Sequence, residues 1–189
     1  MKVVILGNIN MKMCSFRLLY LNVFVYLLSN IELSNGISCK NEKNEDVDWY
    51  IIYKIPIIES EKKGSYLRSG IAYAYLTSDD PDGWKLSSIN IQSQNSMLGR
   101  TLTGFREKVD EDEDVAYLFY NDQAPDTDKT AVGHLKGYLA FDVKSGVWMI
   151  HSIPKYTKPD KHEFPSNART NGQMALCITL STESLNDIC

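Results

Sequence analysis

At 189 residues the chain is long enough for one domain with its own core but not comfortably for two. A 43% hydrophobic and 11% aromatic content fits a globular fold rather than a disordered one. The formal charge of -4 argues against a general DNA-binding module, whose affinity rests on a basic footprint. It leaves room for a nuclease working at low pH, where carboxylates begin to protonate and histidines charge.

The first 36 residues read as separable. Arg17 precedes the apolar run Leu18–Leu28, and Ser34, Asn35 and Gly36 follow. Basic, then apolar, then small is the order of a signal peptide, with cleavage expected after Gly36. The run is shorter than the roughly 20 residues a membrane span needs, so no stable membrane anchor is expected. An uncleaved anchor or buried helix is the alternative, and the long lead-in makes Met11 and Met13 candidate starts. Losing residues 1–36 removes Lys2, Lys12, Arg17 and Glu32, three positive charges and one negative, and takes the formal charge from -4 to -6.

Cys14 lies in the presumed leader. Cys39, Cys177 and Cys189 remain for an oxidising compartment, and three cysteines leave at least one odd. Cys39 and Cys177 sit near the two ends of the core sequence and are the favoured pair. Cys189 is then free, linked between chains, or left from a truncated reading frame. There is no C-x-x-C and no His pair at ligand spacing, so no metal or cofactor is expected.

Along the mature chain, Lys40–Asp48 reads as a charged loop and VDWYIIYKIP as a buried first strand ended by Pro56. Glu59–Gly64 is a solvated turn, and GIAYAYLTS alternates as a second strand. DDPDGW is the plainest turn signal, because Pro81 fixes one dihedral and Gly83 tolerates unusual ones. The stretch Ile89–Arg106 is compatible with strand plus helix. The acidic run Asp110–Asp114 is read as a solvated face, since it lacks the spacing of a calcium loop. VAYLFYND, GVWMIHSIP and MALCITL read as strands, with a turn at Lys144–Gly146. Pro159, Pro165 and Gly172 break the segment before the last of them. The content is that of a strand-rich α/β or α+β domain.

VGHLKGYLAFD carries the chemistry. In a strand, His134 and Lys136 leave the backbone on one face, their Cα atoms about 6.6 Å apart. A histidine nitrogen is able to attack phosphorus while a lysine neutralises phosphoryl oxygen. Gly133 and Gly137 would let a bulky phosphate approach closely. The competing reading is an ordinary His/Lys pair on a solvated strand. Asp142 shares the parity of His134 but lies about 26 Å away in a straight strand, so it is expected to support the fold or a neighbouring site. Asn121 and Asp122 end the preceding strand, where they either orient catalytic groups or cap a turn. His151 is expected to give a supporting hydrogen bond rather than act directly. His162, in a charged, Pro-flanked loop, is expected to be exposed.

Taken in order, VDWYIIYKIP, Gly83–Trp84, LFYNDQAP at Leu118–Pro125, GHLKGYLAFD, GVWMIHSIP and NGQMALCITL resemble the N-terminal half of deoxyribonuclease II, a lysosomal or secreted acid endonuclease. The resemblance covers nearly all of Cys39–Leu180. It implies a domain at 39–180 followed by a tail at 181–189. The implied fold is phospholipase D-like, α/β or α+β, with a mixed β-sheet flanked by helices, and this chain is a single half of the usual two-half enzyme. Full-length members place one H-x-K from each half at a shared cleft, hydrolyse double-stranded DNA without a metal and leave 3′-phosphates. His134 and Lys136 match the first of these motifs, and Cys39 and Cys177 match the family's long-range disulfide. No second H-x-K occurs in this chain. A homodimer or a partner chain would have to supply it. The alternative is a noncatalytic secreted binding or effector protein on the same truncated fold.

Overall fold

The computed structural model describes residues 36–111, 114–122, 136–158 and 160–184. A small hairpin, β1 (Cys39–Lys40) and β2 (Asp46–Val47), interrupts the expected charged loop. It precedes the strands β3 (Trp49–Lys54), β4 (Tyr73–Thr77) and β5 (Asp80–Leu86). The helix α1 (Met97–Asp110) leads to β6 (Ala116–Asn121), β7 (Lys136–Phe141), β8 (Ser145–His151) and β9 (Gln173–Ser181). Seven strands form one sheet in the order β5-β4-β3-β9-β8-β7-β6, and every pair is antiparallel. The result is the α+β class expected from the sequence, with the described α-helix packed on one face.

Alternation divides the sheet. Along β3, Tyr50, Ile52 and Lys54 are buried while Trp49 and Ile51 are only half-buried and Tyr53 is exposed. The buried set continues through Ala175 and Cys177 on β9 and Val147 and Met149 on β8. This inner face meets α1, whose buried Met97, Leu98, Thr101, Leu102 and Phe105 form one stripe at helical spacing. Phe105 packs edge-on against Tyr117 of β6 at 5.2 Å, and the Tyr50 hydroxyl lies 3.1 Å from Thr101 Oγ1. Ser96 caps the helix: its Oγ accepts from Gly99 N at 3.1 Å, a contact of about 1 kcal/mol. A Cβ at Gly99 would stand 2.6 Å from the Ser93 and Gln94 carbonyl oxygens, so only glycine lets the helix start this close to the preceding turn.

Cys39 and Cys177 are joined, with Cα atoms 6.0 Å apart across 138 residues. The bond ties the start of the domain to the central strand β9. In the chain-entropy account a loop of that length stabilises the fold by about 5 kcal/mol.

Two local expectations are corrected. Only the first residue of DDPDGW lies in a turn: the chain reverses at Ser78–Asp79, and Asp80–Trp84 belong to the edge strand β5. An edge strand has one row of backbone donors facing away from the sheet, so Pro81 costs no ladder bond there. The hairpin between β7 and β8 turns at Val143–Lys144, and Ser145 and Gly146 already pair with β9. The acidic run behaves as expected where it is described: Asp110, Glu111 and Asp114 are exposed.

Candidate functional site

Antiparallel register sets Asn121, Lys136 and His151 directly opposite one another on β6, β7 and β8. All three lie on the inner face at the end of the sheet, and neighbours in such a row have Cβ atoms about 5 Å apart. The row continues into Ala175 and Ile52, where polarity stops. Lys136 is fully buried, and its Nζ donates to Asp122 Oδ1 at 3.0 Å. The carboxylate is one residue past β6, so the strand end supplies the counter-ion that a buried ammonium needs. His134 lies outside the described residues.

His151 is 5% exposed. Its Nδ1 accepts from Ile153 N at 3.2 Å, which leaves the proton of the neutral ring on Nε2. Burial and the neighbouring Lys136 charge push its pKa down to about 3. The ring is therefore neutral through the acidic range in which free histidines are charged. Its edge-to-face partner at 5.3 Å is Tyr156, whose carbonyl accepts from Asn121 Nδ2 at 2.8 Å. Asn121 thus holds the loop after β8 against the row.

Tyr156 reaches a third histidine, and here the expectation of exposure fails. His162 is 5% exposed. Its Nε2 donates to the Ile91 carbonyl at 2.9 Å, so Nδ1 accepts from the Tyr156 hydroxyl at 2.8 Å. Burial lowers its pKa. Both partners are distant in sequence or in a loop, so the charged flanks concealed the buried setting. His162 also lines a cavity of about 770 Å³ whose rim carries Lys155, Lys158, Arg169 and Glu163.

Asp142 is not in the row. It sits beyond the far end of β7, where Oδ2 accepts from Ile37 N at 2.9 Å and Oδ1 accepts from Lys144 N at 2.7 Å and Ser145 N at 2.9 Å. The carboxylate clamps a hairpin turn and the start of the domain. Gly137 does not open room for a phosphate. It faces the opposite side of the sheet from Lys136, and a Cβ there would stand 2.4 Å from the Tyr120 hydroxyl.

Lys54 was missed. It closes β3 at the same end of the sheet, is fully buried, and donates from Nζ to the Arg169 carbonyl at 2.6 Å. Burial lowers its pKa to about 8. The inward parity of Lys54 with Tyr50 and Ile52 was a readable signal.

A family model described as Deoxyribonuclease II matches residues 38–189. The chain belongs to the deoxyribonuclease II family. The fold is accordingly of the phospholipase D-like class. A deoxyribonuclease-2-beta of Mus musculus is 36% identical over 170 residues, covering 89% of this chain and 47% of the relative. The Homo sapiens deoxyribonuclease-2-beta is likewise 36% identical over 170 residues, covering 87% and 45%. Plancitoxin-1 of Acanthaster planci is 33% identical over 178 residues, covering 92% and 48%. The chain therefore spans about half the length of the curated relatives it matches.

Proposed function

We propose that this chain is one half-site of a secreted or lysosomal acid endonuclease that hydrolyses phosphodiesters of double-stranded DNA. The observation that carries this reading is the row Asn121–Lys136–His151, with Asp122 against Lys136, in a member of the deoxyribonuclease II family. His134, unprotonated, attacks phosphorus and forms a phosphohistidine as the 5′ oxygen departs. A second, protonated histidine gives that oxygen its proton and then takes one from the water that hydrolyses the intermediate, leaving a 3′-phosphate. Lys136 and a second lysine stabilise the added negative charge. Asn121, Asp122 and His151 position this machinery.

His151 is not the missing acid. With its pKa lowered to about 3 the ring is not an imidazolium at mildly acidic pH, and the Nε2 proton of a neutral ring is too weakly acidic to give to a departing oxygen. The second histidine comes from another H-x-K brought to the same cleft. The cationic rim of the neighbouring cavity suits the duplex backbone. Residues 1–36 act as the leader that directs secretion.

One observation favours a second reading, a noncatalytic binding or effector protein. Lys136 is sealed from solvent and already paired, so phosphate must displace Asp122 to reach it. Plasmid nicking at about pH 5 with a chelator present separates the two readings. The enzyme nicks DNA and yields an acid-labile phosphohistidine on rapid quenching, whereas the binding protein does neither.

A further inference from the structure

Ile37 stands directly after the expected leader cleavage, and the fold grips it tightly. The residue is 2% exposed, and its amide nitrogen donates to Asp142 Oδ2 at 2.9 Å. Its carbonyl accepts from Ser145 Oγ at 3.0 Å, so the turn between β7 and β8 holds both backbone groups. Shortly beyond it, Cys39 enters the disulfide to β9. Asp142 is itself only 5% exposed. The hydrogen bonds that its carboxylate receives from described residues come from the backbone N–H groups of Ile37, Lys144 and Ser145, all of them neutral. A buried carboxylate held by neutral donors carries a desolvation cost that a cation in the same place would offset.

We propose that cleavage after Gly36 supplies that cation: the α-ammonium of Ile37 forms a buried ion pair with Asp142. The proposal rests on the leader reading and adds a receptor for the chain end that cleavage creates. Hydrolysis of the Gly36–Ile37 peptide bond consumes one water. It leaves a carboxylate on Gly36 of the departing leader, and the proton released goes to the new amine of Ile37, which is protonated at neutral and acidic pH. The nitrogen already lies 2.9 Å from Oδ2, a distance that suits a charge-assisted hydrogen bond without any shift of the chain.

Gly36 fits the same account from the leader side. A Cβ there would overlap Ser145 Oγ and stand 3.2 Å from Lys144 Cβ, so glycine lets the uncleaved chain pass over the turn. Leader cleavage asks for a small residue at the same position. Gly36, Ile37 and Ser38 also line a cavity of about 400 Å³, so the new chain end is not sealed from water. The ion pair pins the end of β7 opposite to the one that carries Lys136. Full stability therefore follows processing, and it depends on the cut falling between Gly36 and Ile37.

The test begins with the N-terminal residue of the full chain secreted from eukaryotic cells, which is expected to be Ile37. That chain is compared with one prepared to retain Gly36, which keeps the Ile37 N–H but moves the ammonium off the carboxylate. Retaining Gly36 is expected to raise the unfolding equilibrium constant by about tenfold or more. Acylation of the native α-amine should accelerate by a similar factor, because the amine is no longer held in a pair. Asp142→Asn, placed in both chains, should abolish both differences. If that variant does not fold, the relative amine reactivity of the two wild-type chains decides. Equal stability and equal reactivity in those two chains overturn the pairing and leave the leader reading standing. A difference that persists undiminished with Asp142→Asn overturns the pairing as well. A secreted chain that begins at any other residue overturns the pairing and the cleavage position together.

Discussion

The two faces of the sheet are offset by one residue and differ in almost everything else. On the inner face, Tyr50, Ile52, Met149 and Cys177 lie under α1, and the same parity runs on to the sheet end, where it lifts Asn121, Lys136 and His151 into one row. On the outer face, the next residues along, Tyr120, Gly137 and Ile150, form a row without charge, on the side of the sheet away from α1. Polar chemistry is therefore confined to the rim of a covered face, where a buried cation meets its carboxylate. The apolar face is uniform from β6 to β4. A slip of one residue in β7 would exchange these environments, which is why register rather than composition positions the site.

The contrast is open to attack from either side. The largest effect is expected where the inner face is stapled. Replacing Cys39 and Cys177 by Ser should cost about 5 kcal/mol, read from the denaturant midpoint, and a change below about 1 kcal/mol would mean the disulfide constrains little. Next comes the buried ion pair. Asp122→Asn leaves Lys136 buried without its counter-ion and should cost about 3 kcal/mol, while adding Lys136→Met should restore most of it. If the double variant is no better than the single one, the carboxylate is holding the loop and not the lysine.

The row also carries a pH signature. His151 has its pKa lowered in the folded state, so the unfolded chain takes up the proton first as pH falls. Stability present above about pH 6.5 is lost progressively down to about pH 3, with a slope from this group of up to about 1.4 kcal/mol per pH unit. His162, shifted in the same direction, adds to it. A His151→Gln variant should flatten the melting temperature profile across that window, and an unchanged slope would remove His151 from the account. The smallest effect belongs to the outer rim, where Trp84→Ser on the exposed edge strand should alter monomer stability by no more than about 0.5 kcal/mol. A loss above about 2 kcal/mol there would mean the face is already covered within one chain.

Much of this was legible from residues alone. The apolar runs announced β3, β6, β8 and β9, whereas the burial of Lys136 on the inner face was not readable from strand parity alone. The turn signal in DDPDGW misled because Pro81 and Gly83 carry the same letters in a turn and in an edge strand, and edge position is a tertiary fact. His162 misled for a similar reason: its flanks are charged, but Ile91 and Tyr156 close over it only in the folded chain. Gly137 looked like space for a ligand, and the space is filled by the Tyr120 ring from the adjacent strand. The single H-x-K is incomplete for the proposed mechanism, and the lowered pKa of His151 argues against that residue as the substitute acid.

The central claim is that His134 and Lys136 form a working half of a nuclease site. It is tested most directly by acid nicking of supercoiled plasmid with wild-type protein and with His134→Ala, purified side by side with a chelator present. The account predicts cleavage by the wild type that falls by on the order of a thousandfold or more in the variant. Cleavage that persists unchanged in His134→Ala would contradict it.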